Sequence, residues 1–237
     1  CDSAPRPRPT TASGASPRED VPSGRTFVIG DVHGCSRELS RLLRKTRADR
    51  TILVGDLFTK GPDPRGVLSL IREHDLELVL GNHDQRLIDV ANEDRPRDPH
   101  GRRVVAALEE VDPDWLTWLE EQPLFLEADG WTVVHAALHP TGRLEETTRR
   151  TAQYLRRWPD DARTDPRWWT VYEGERPVVF GHDARQGLLF AHRDRVGRPR
   201  VVGLDTGCVY GGQLTGMWLD DCAIVQVRAE RTYKSIG

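Results

Sequence analysis

The sequence predicts an α/β fold: a parallel half is followed by an antiparallel β half, and two sheets packed face to face with helices outside would accommodate both. Three observations carry this. Short β-branched runs alternate with amphipathic helical patterns from Thr26 to Val90. Three of those runs end in a glycine followed by a hard ligand, as Gly30-Asp31-Val32-His33-Gly34, Gly55-Asp56 and Gly81-Asn82-His83-Asp84. From Pro177 onward, strand-like runs are separated by turn pairs such as Gly211-Gly212 and Asp220-Asp221, which favour antiparallel pairing.

Taken in order, residues 26–30 form a first strand, and Ser36 is placed to cap a helix over 37–47 whose Leu39, Leu42 and Leu43 share one face. A strand over 51–55 leads through a turn-rich loop, 57–64, to a helix carrying Val67, Leu68, Leu70 and Ile71 that ends before Asp75. A third strand, 77–81, hands over to a helix over 85–90. Strand and helix alternating in this way imply parallel pairing with right-handed crossovers. Residues 92–122 read as helical and peripheral, with Trp115, Trp118 and Leu119 spaced as core residues. Strands over 124–126 and 131–134 bracket Asp129-Gly130, a hairpin signal. A helical stretch over 144–158 carries Arg149-Arg150 and Arg156-Arg157, and strands follow over 177–180, 187–191, 200–204, 213–219 and 223–228.

With 237 residues the chain can build one large domain, expected over 25–237 as a monomer. Residues 1–24 are rich in Pro, Arg, Ser and Ala and lack the apolar surface to fold, so a disordered tail is expected there. The formal charge of −3 rests on many charges of both signs, and no basic stripe with interleaved aromatics points to nucleic acid. No run of about eighteen apolar residues exists to span a membrane. Four scattered cysteines, Cys1, Cys35, Cys208 and Cys222, make neither a disulfide framework nor a Cys-x-x-Cys zinc site, and unpaired thiols in a cytoplasmic setting are expected. Cys1 followed by a disordered tether carries the alternative, a lipid-anchored envelope protein.

Ligands of an open α/β sheet bind in the crevice beyond the carboxyl ends of its strands. His135 follows the run over 131–134, and His182 follows Gly181 at the end of 177–180, so five strand ends can converge on one rim. Two octahedral divalent cations need about that many ligands, and a carboxylate such as Asp56 can bridge them at the ~3.5–4 Å of two-metal sites. His83, beside Asn82, faces the same rim, where it can protonate a leaving oxygen.

Together these motifs resemble the calcineurin-like metallophosphoesterases of the phosphoprotein-phosphatase superfamily, over about 26–228. The resemblance implies a central β-sandwich of two mixed sheets flanked by helices. It also implies a first metal on Asp31, His33 and Asp56 and a second on Asp56, Asn82, His135 and His182. Manganese heads the candidates, with iron, zinc, cobalt and magnesium as alternatives, and a metal-bridging hydroxide is the implied nucleophile. Asn82 would also touch a phosphate oxygen, His83 would act as general acid, and an arginine late in the helical insert would grip phosphate: Arg157, with Arg156 as the alternative.

Departures from the family pattern narrow the substrate. Where serine/threonine phosphatases read Gly-Asp-Tyr-Val-Asp-Arg-Gly, this chain has Gly55-Asp56-Leu57-Phe58-Thr59-Lys60-Gly61. Thr59 replaces the acid that orients the catalytic histidine, and Lys60 offers phosphate a point charge in place of a bidentate fork. With Gly181-His182-Asp183-Ala184 and Asp205-Thr206-Gly207-Cys208-Val209-Tyr210-Gly211-Gly212, this resembles the bacterial diadenosine tetraphosphatase branch. The expected activity is hydrolysis of phosphoanhydride or phosphoester bonds in dinucleoside polyphosphates, polyphosphate or nucleotide-capped ends. A serine/threonine protein phosphatase is the first alternative and a non-catalytic metal-binding scaffold the second. Asp205 and Tyr210 are given no role beyond shaping the rim.

Overall fold

The computed structural model describes residues 24–93 and 98–235. Of the expected tail, all but Gly24 lies outside these residues, Cys1 included. The first sheet takes β1 (Thr26–Ile29), β2 (Arg50–Leu53) and β3 (Glu77–Leu78) as parallel neighbours. Its crossovers are α1 (Ser36–Thr46) and α2 (Pro64–Glu73), after which α3 (Asn82–Ala91), α4 (Pro99–Glu109) and α5 (Trp115–Glu120) cover the same side. The second sheet is built from β4 (Phe125–Ala128), β5 (Trp131–Val134), β6 (Val178–Phe180), β7 (Leu189–Arg193) and β8 (Pro199–Gly203), in the order β4-β5-β6-β8-β7. The short α6 (Arg149–Tyr154) precedes β6.

Valine-rich faces join the two sheets. Val28, Ile52, Val54 and Val79 of the first meet Val133, Val179 and Val202 of the second, all at 0 % exposure. At roughly 1.5–3 kcal/mol for each fully buried aliphatic side chain, this seam is a main source of stability and fixes how the strand ends of the two sheets oppose. The Asp129-Gly130 hairpin forms as expected, with both residues in the left-handed region (φ 46° and 80°) that a two-residue turn requires. Trp115 and Leu119 are buried, and Trp118, half-buried, carries the Arg72 guanidinium over its ring at 4.1 Å.

Four expectations are corrected. The last hairpin, β9 (Gln213–Trp218) and β10 (Ile224–Arg228), belongs to the first sheet, where β9 pairs antiparallel with β1. Within the second sheet β5, β6 and β8 run parallel: the long segment holding α6 and the irregular 155–177 stretch carries the chain back between β5 and β6, and the antiparallel β7 does so between β6 and β8. The helix expected over 144–158 is a 3₁₀ turn (Leu144–Glu146), α6, and then extended backbone from Leu155 (ψ 131°), so Arg156 and Arg157 lie on a loop. Ser36 does not cap α1: Cys35 is the N-cap, and the Ser36 hydroxyl donates to Asp63 Oδ2 at 2.6 Å.

Candidate metal centre

The strand ends of β1, β2, β3, β5 and β6 open onto one rim, and the backbone there is bent in an uncommon way. His33, Asp56, Lys60 and His182 all have positive φ (46°, 55°, 70° and 68°). Such a conformation costs a side-chain-bearing residue about 1–3 kcal/mol and persists only where its surroundings hold it. Loop hydrogen bonds supply the hold: His33 N–H donates to Asp56 O at 2.8 Å and Gly34 N–H to Leu57 O at 2.7 Å. Asp84, fully buried, accepts the N–H groups of Asp56 (2.7 Å), Leu57 (2.9 Å) and Gly81 (3.0 Å), tying the Asp56 loop to the N-terminus of α3. Close packing demands glycine at 181, where a Cβ would collide with the Asp31 carboxylate.

All six residues expected to ligate metal come together. Asp31, His33 and Asp56 form one group with donor atoms within 4.8 Å of one another, and Asp56, His135 and His182 form a second. Asp56 is common to both: Oδ2 faces His33 Nε2 at 3.5 Å and Oδ1 faces His135 Nε2 at 3.4 Å. Asn82 Oδ1 lies 3.0 Å from His135 Nε2 and 3.1 Å from His182 Nδ1. Backbone carbonyls fix the two tautomers, because His135 Nδ1–H donates to Val54 O (2.8 Å) and His182 Nε2–H to Tyr154 O (2.9 Å). The remaining nitrogens therefore present lone pairs to each other at 3.2 Å and to the Asn82 oxygen. Three acceptors converging on one point, beside a shared carboxylate, fit a divalent cation.

Electrostatics agree. Burial lowers the pKa of His33, His135 and His182, keeping the imidazoles neutral as ligands must be. Burial pushes Asp31 up, reinforced by Asp205 and Asp56, and takes Asp84 to about 7 and Asp205 to about 6. Burial would raise Asp56 too, but His135, His83, His33 and Lys60 outweigh it and hold Asp56 below the usual carboxylate range. So many buried carboxylates at one place call for added positive charge.

Helix α3 begins at Asn82, three residues earlier than the sequence suggests, so His83 lies in its first turn and its N–H donates to Asp56 Oδ1 at 2.9 Å. Its Nδ1 meets the Thr59 hydroxyl at 3.0 Å, so Thr59 does stand where an orienting group is needed. Lys60 Nζ approaches His33 Nε2 at 2.9 Å and lies 5.5 Å from the Tyr210 ring centre.

Beside His33 and His182 opens a cavity of about 510 Å³ lined by Lys60, Arg156, Arg157, Arg167, Arg185 and Tyr210. Arg156 Nη2 donates to His182 O at 3.3 Å and its Nε lies 3.9 Å from Asp183, whereas Arg157 Nη1 donates to Asp165 O at 2.7 Å within its own loop. Asp161 Oδ1 accepts the backbone N–H groups of both arginines, at 2.7 and 2.6 Å. Sequence reasoning placed Asp84 in the third motif without a role of its own, and missed Arg167 and Arg185. A position for Asp84 three residues into a helix start was the available signal for its role; nothing local marked the arginines.

The calcineurin-like phosphoesterase family matches residues 24–220 of this chain. The chain is 30 % identical to the symmetrical bis(5'-nucleosyl)-tetraphosphatase of Nitrosomonas europaea over 87 % of its length and 99 % of the relative's. It is 27 % identical to the enzyme of the same name from Janthinobacterium sp. (strain Marseille), over 88 % and 98 %. Among solved structures, a protein provisionally described as a diadenosine tetraphosphatase superposes with a TM-score of 0.73 at 30 % identity, covering 88 % of this chain and 95 % of that one. A serine/threonine phosphatase from Saccharomyces cerevisiae shares the fold at a TM-score of 0.52 and 16 % identity. The two mixed sheets, the flanking helices and the donor cluster at the strand ends are those of the calcineurin-like phosphoesterase family, to which this chain belongs.

Proposed function

We propose that the protein hydrolyses phosphoanhydride bonds of dinucleoside polyphosphates, with inorganic polyphosphate and nucleotide-capped ends as further substrates of the same chemistry. One observation supports this above the others: the wall of Arg156, Arg157, Arg167 and Arg185 that borders the donor cluster. A monoester needs one phosphate held; several guanidiniums lining one cavity, Arg157 resting on Asp165 O and Arg167 on Asp183, fit a chain of phosphates that accepts charge-assisted hydrogen bonds. The names of its relatives point the same way.

Asp31, His33 and Asp56 are assigned to one cation and Asp56, Asn82, His135 and His182 to the other. Two divalent ions, manganese first among manganese, iron, zinc, cobalt and magnesium, would supply Lewis acidity and an activated water there. Asn82 orients a phosphate oxygen from the start of α3, where the helix dipole also favours anions. Lys60 neutralises a further oxygen, and Arg156, which already reaches His182, holds the phosphate beyond the scissile bond. Arg157 shapes that loop and adds charge at longer range. His83, oriented by Thr59, gives a proton to the leaving oxygen. No helix among the described residues is long and apolar enough to cross a membrane; a cytoplasmic monomer remains part of the reading.

The test is a substrate panel under matched manganese, cobalt, zinc and magnesium: dinucleoside tetraphosphate, inorganic polyphosphate, a nucleotide-capped oligonucleotide and a phosphoserine peptide. Phosphoanhydrides should give the higher kcat/KM. A value for the peptide at least about ten times that for every phosphoanhydride, some 1.4 kcal/mol of transition-state preference, would overturn the proposal in favour of a protein phosphatase.

A further inference from the structure

Behind the Asp31–His33 loop lies a second set of donors that the chemistry above does not use. Cys35, Glu38 and Cys208 each offer a donor atom, and the three atoms lie within 4.8 Å of one another. All are buried, Cys35 and Glu38 at 0 % exposure and Cys208 at 2 %. Cys35 is the N-cap of α1 and makes no capping bond, and Glu38 sits in the first turn of the same helix. Cys208 opens the 3₁₀ turn Cys208–Tyr210, set between the left-handed Gly207 and Gly211.

The carboxylate of Glu38 is half satisfied. Its Oε1 accepts the Glu230 N–H at 2.9 Å and the Tyr233 hydroxyl at 2.8 Å. Its Oε2 is buried with no hydrogen-bond partner. Burying such an atom unpaired is costly, more so when it is charged, so it calls for an explanation. A proton would satisfy the oxygen but leave the two thiols with weak contacts, such as that of Cys35 Sγ to His33 O at 3.8 Å. A thiophilic cation would engage all three donors, with Oε1 oriented from behind as the outer oxygens of ligating carboxylates are. The N-terminus of α1 favours negative charge at Cys35 and Glu38, whereas Cys35 and burial push the Cys208 thiol up, an effect that a cation between the three donors would offset.

We propose that Cys35, Glu38 and Cys208 form a third cation site, selective for a thiophilic d¹⁰ ion of the zinc type. On binding, each thiol forms one sulfur–metal bond and releases its proton to solvent; no electron changes hands. Glu38 also borders a cavity of about 510 Å³ shared with Ser36, Arg37, Pro62, Glu230 and Tyr233. The role is structural. The site joins α1 to the Cys208 turn and to the C-terminal segment, whose Tyr233 and Lys234 N–H groups both donate to Val209 O at 3.0 Å. It thereby braces, from the far side, the loop that carries Asp31 and His33.

Cobalt(II) is the probe, because the strand-end donors contain no sulfur and cannot produce a sulfur-to-metal charge-transfer band. The full chain, purified under reducing conditions, stripped of metal and titrated with cobalt, should develop that band. It should be lost in Cys35→Ser/Cys208→Ser, weakened in Glu38→Gln and retained in Cys222→Ser. Absence of the band from the unaltered chain overturns the proposal, and that measurement needs no variant to fold. So does a band of equal strength in the double variant, or a Cys35–Cys208 disulfide in peptide maps of the freshly purified chain.

Discussion

The donor cluster and the arginine wall face one cavity, yet they are made in opposite ways. The first is rigid: its residues stand at strand ends, buried, with two imidazoles locked by backbone carbonyls and the Asp56 loop held by Asp84. The second stands on loops, Arg185 beyond β6 and the others on the 155–167 loop, which is tied by side chains such as Asp161 and by the pairing of Arg157 with Arg167, with the Arg156 and Arg167 side chains 44 % and 30 % exposed. Chemistry that must place two cations to a fraction of an ångström needs the first kind of scaffold. Recognition of a flexible phosphate chain tolerates the second. Variants on the rigid side should therefore affect metal content and kcat, and variants on the loop should affect the choice of substrate.

The largest effect is expected from Asp56→Asn. It removes the one carboxylate common to both donor groups, so metal content by elemental analysis should fall and turnover should drop by at least ~10²–10³-fold, the scale of losing a key electrostatic group. A variant that keeps both metal and turnover would show that Asp56 is not shared.

Next comes His83→Ala, which should keep its metal, since His83 donates to Asp56 only through its backbone N–H. Loss of general acid assistance predicts a fall of roughly 10²–10⁴-fold on a dinucleoside polyphosphate and a much smaller one on p-nitrophenyl phosphate, whose leaving group scarcely needs a proton. Equal losses on both substrates would reassign His83 to metal or substrate binding.

The same contrast governs what could be read from the sequence. Asp31, His33, Asp56, Asn82, His135 and His182 were legible because each lies within a few residues of a strand end, so that one short motif fixes both the ligand and its place. The arginine wall was only half legible. Arg156 and Arg157 were found, but the helix read over 144–158 breaks at Leu155, and which guanidinium turns toward His182 depends on Asp161 and Asp165 farther along the loop. Arg167 and Arg185 carry no local signal. The sheet that receives β9 and β10 was likewise hidden, since turn residues specify a hairpin and not its neighbour; β9 finds β1 through a pairing of Phe27 with Trp218 across the whole chain. Cys35 and Cys208 were read as scattered for the same reason.

On the loop, Arg156→Ala and Arg157→Ala should separate. A hydrogen bond from a charged group contributes about 1.5–3 kcal/mol, so Arg156→Ala should lower kcat/KM for dinucleoside tetraphosphate by roughly 10–150-fold. Arg157→Ala, whose guanidinium is spent on Asp165 O, should lower it less, and p-nitrophenyl phosphate should respond weakly to either. The reverse ranking would make Arg157 the phosphate anchor.

The smallest expected effect tests the point where rigid and adaptable parts meet, at Thr59. Its hydroxyl meets His83 Nδ1 at 3.0 Å and lies 3.5 Å from His33 Nδ1. A neutral hydroxyl orients an imidazole without adding charge, and one such bond contributes about 1 kcal/mol. Thr59→Val keeps the shape and removes the hydroxyl, so kcat on a dinucleoside polyphosphate should fall about fivefold while metal content and turnover of p-nitrophenyl phosphate hold. The contact with His33 is longer, so loss of metal is the minor outcome. If Thr59→Val instead stripped metal and slowed both substrates alike, Thr59 would serve the donor cluster through His33, and the orientation of His83 would rest on Asp56 alone.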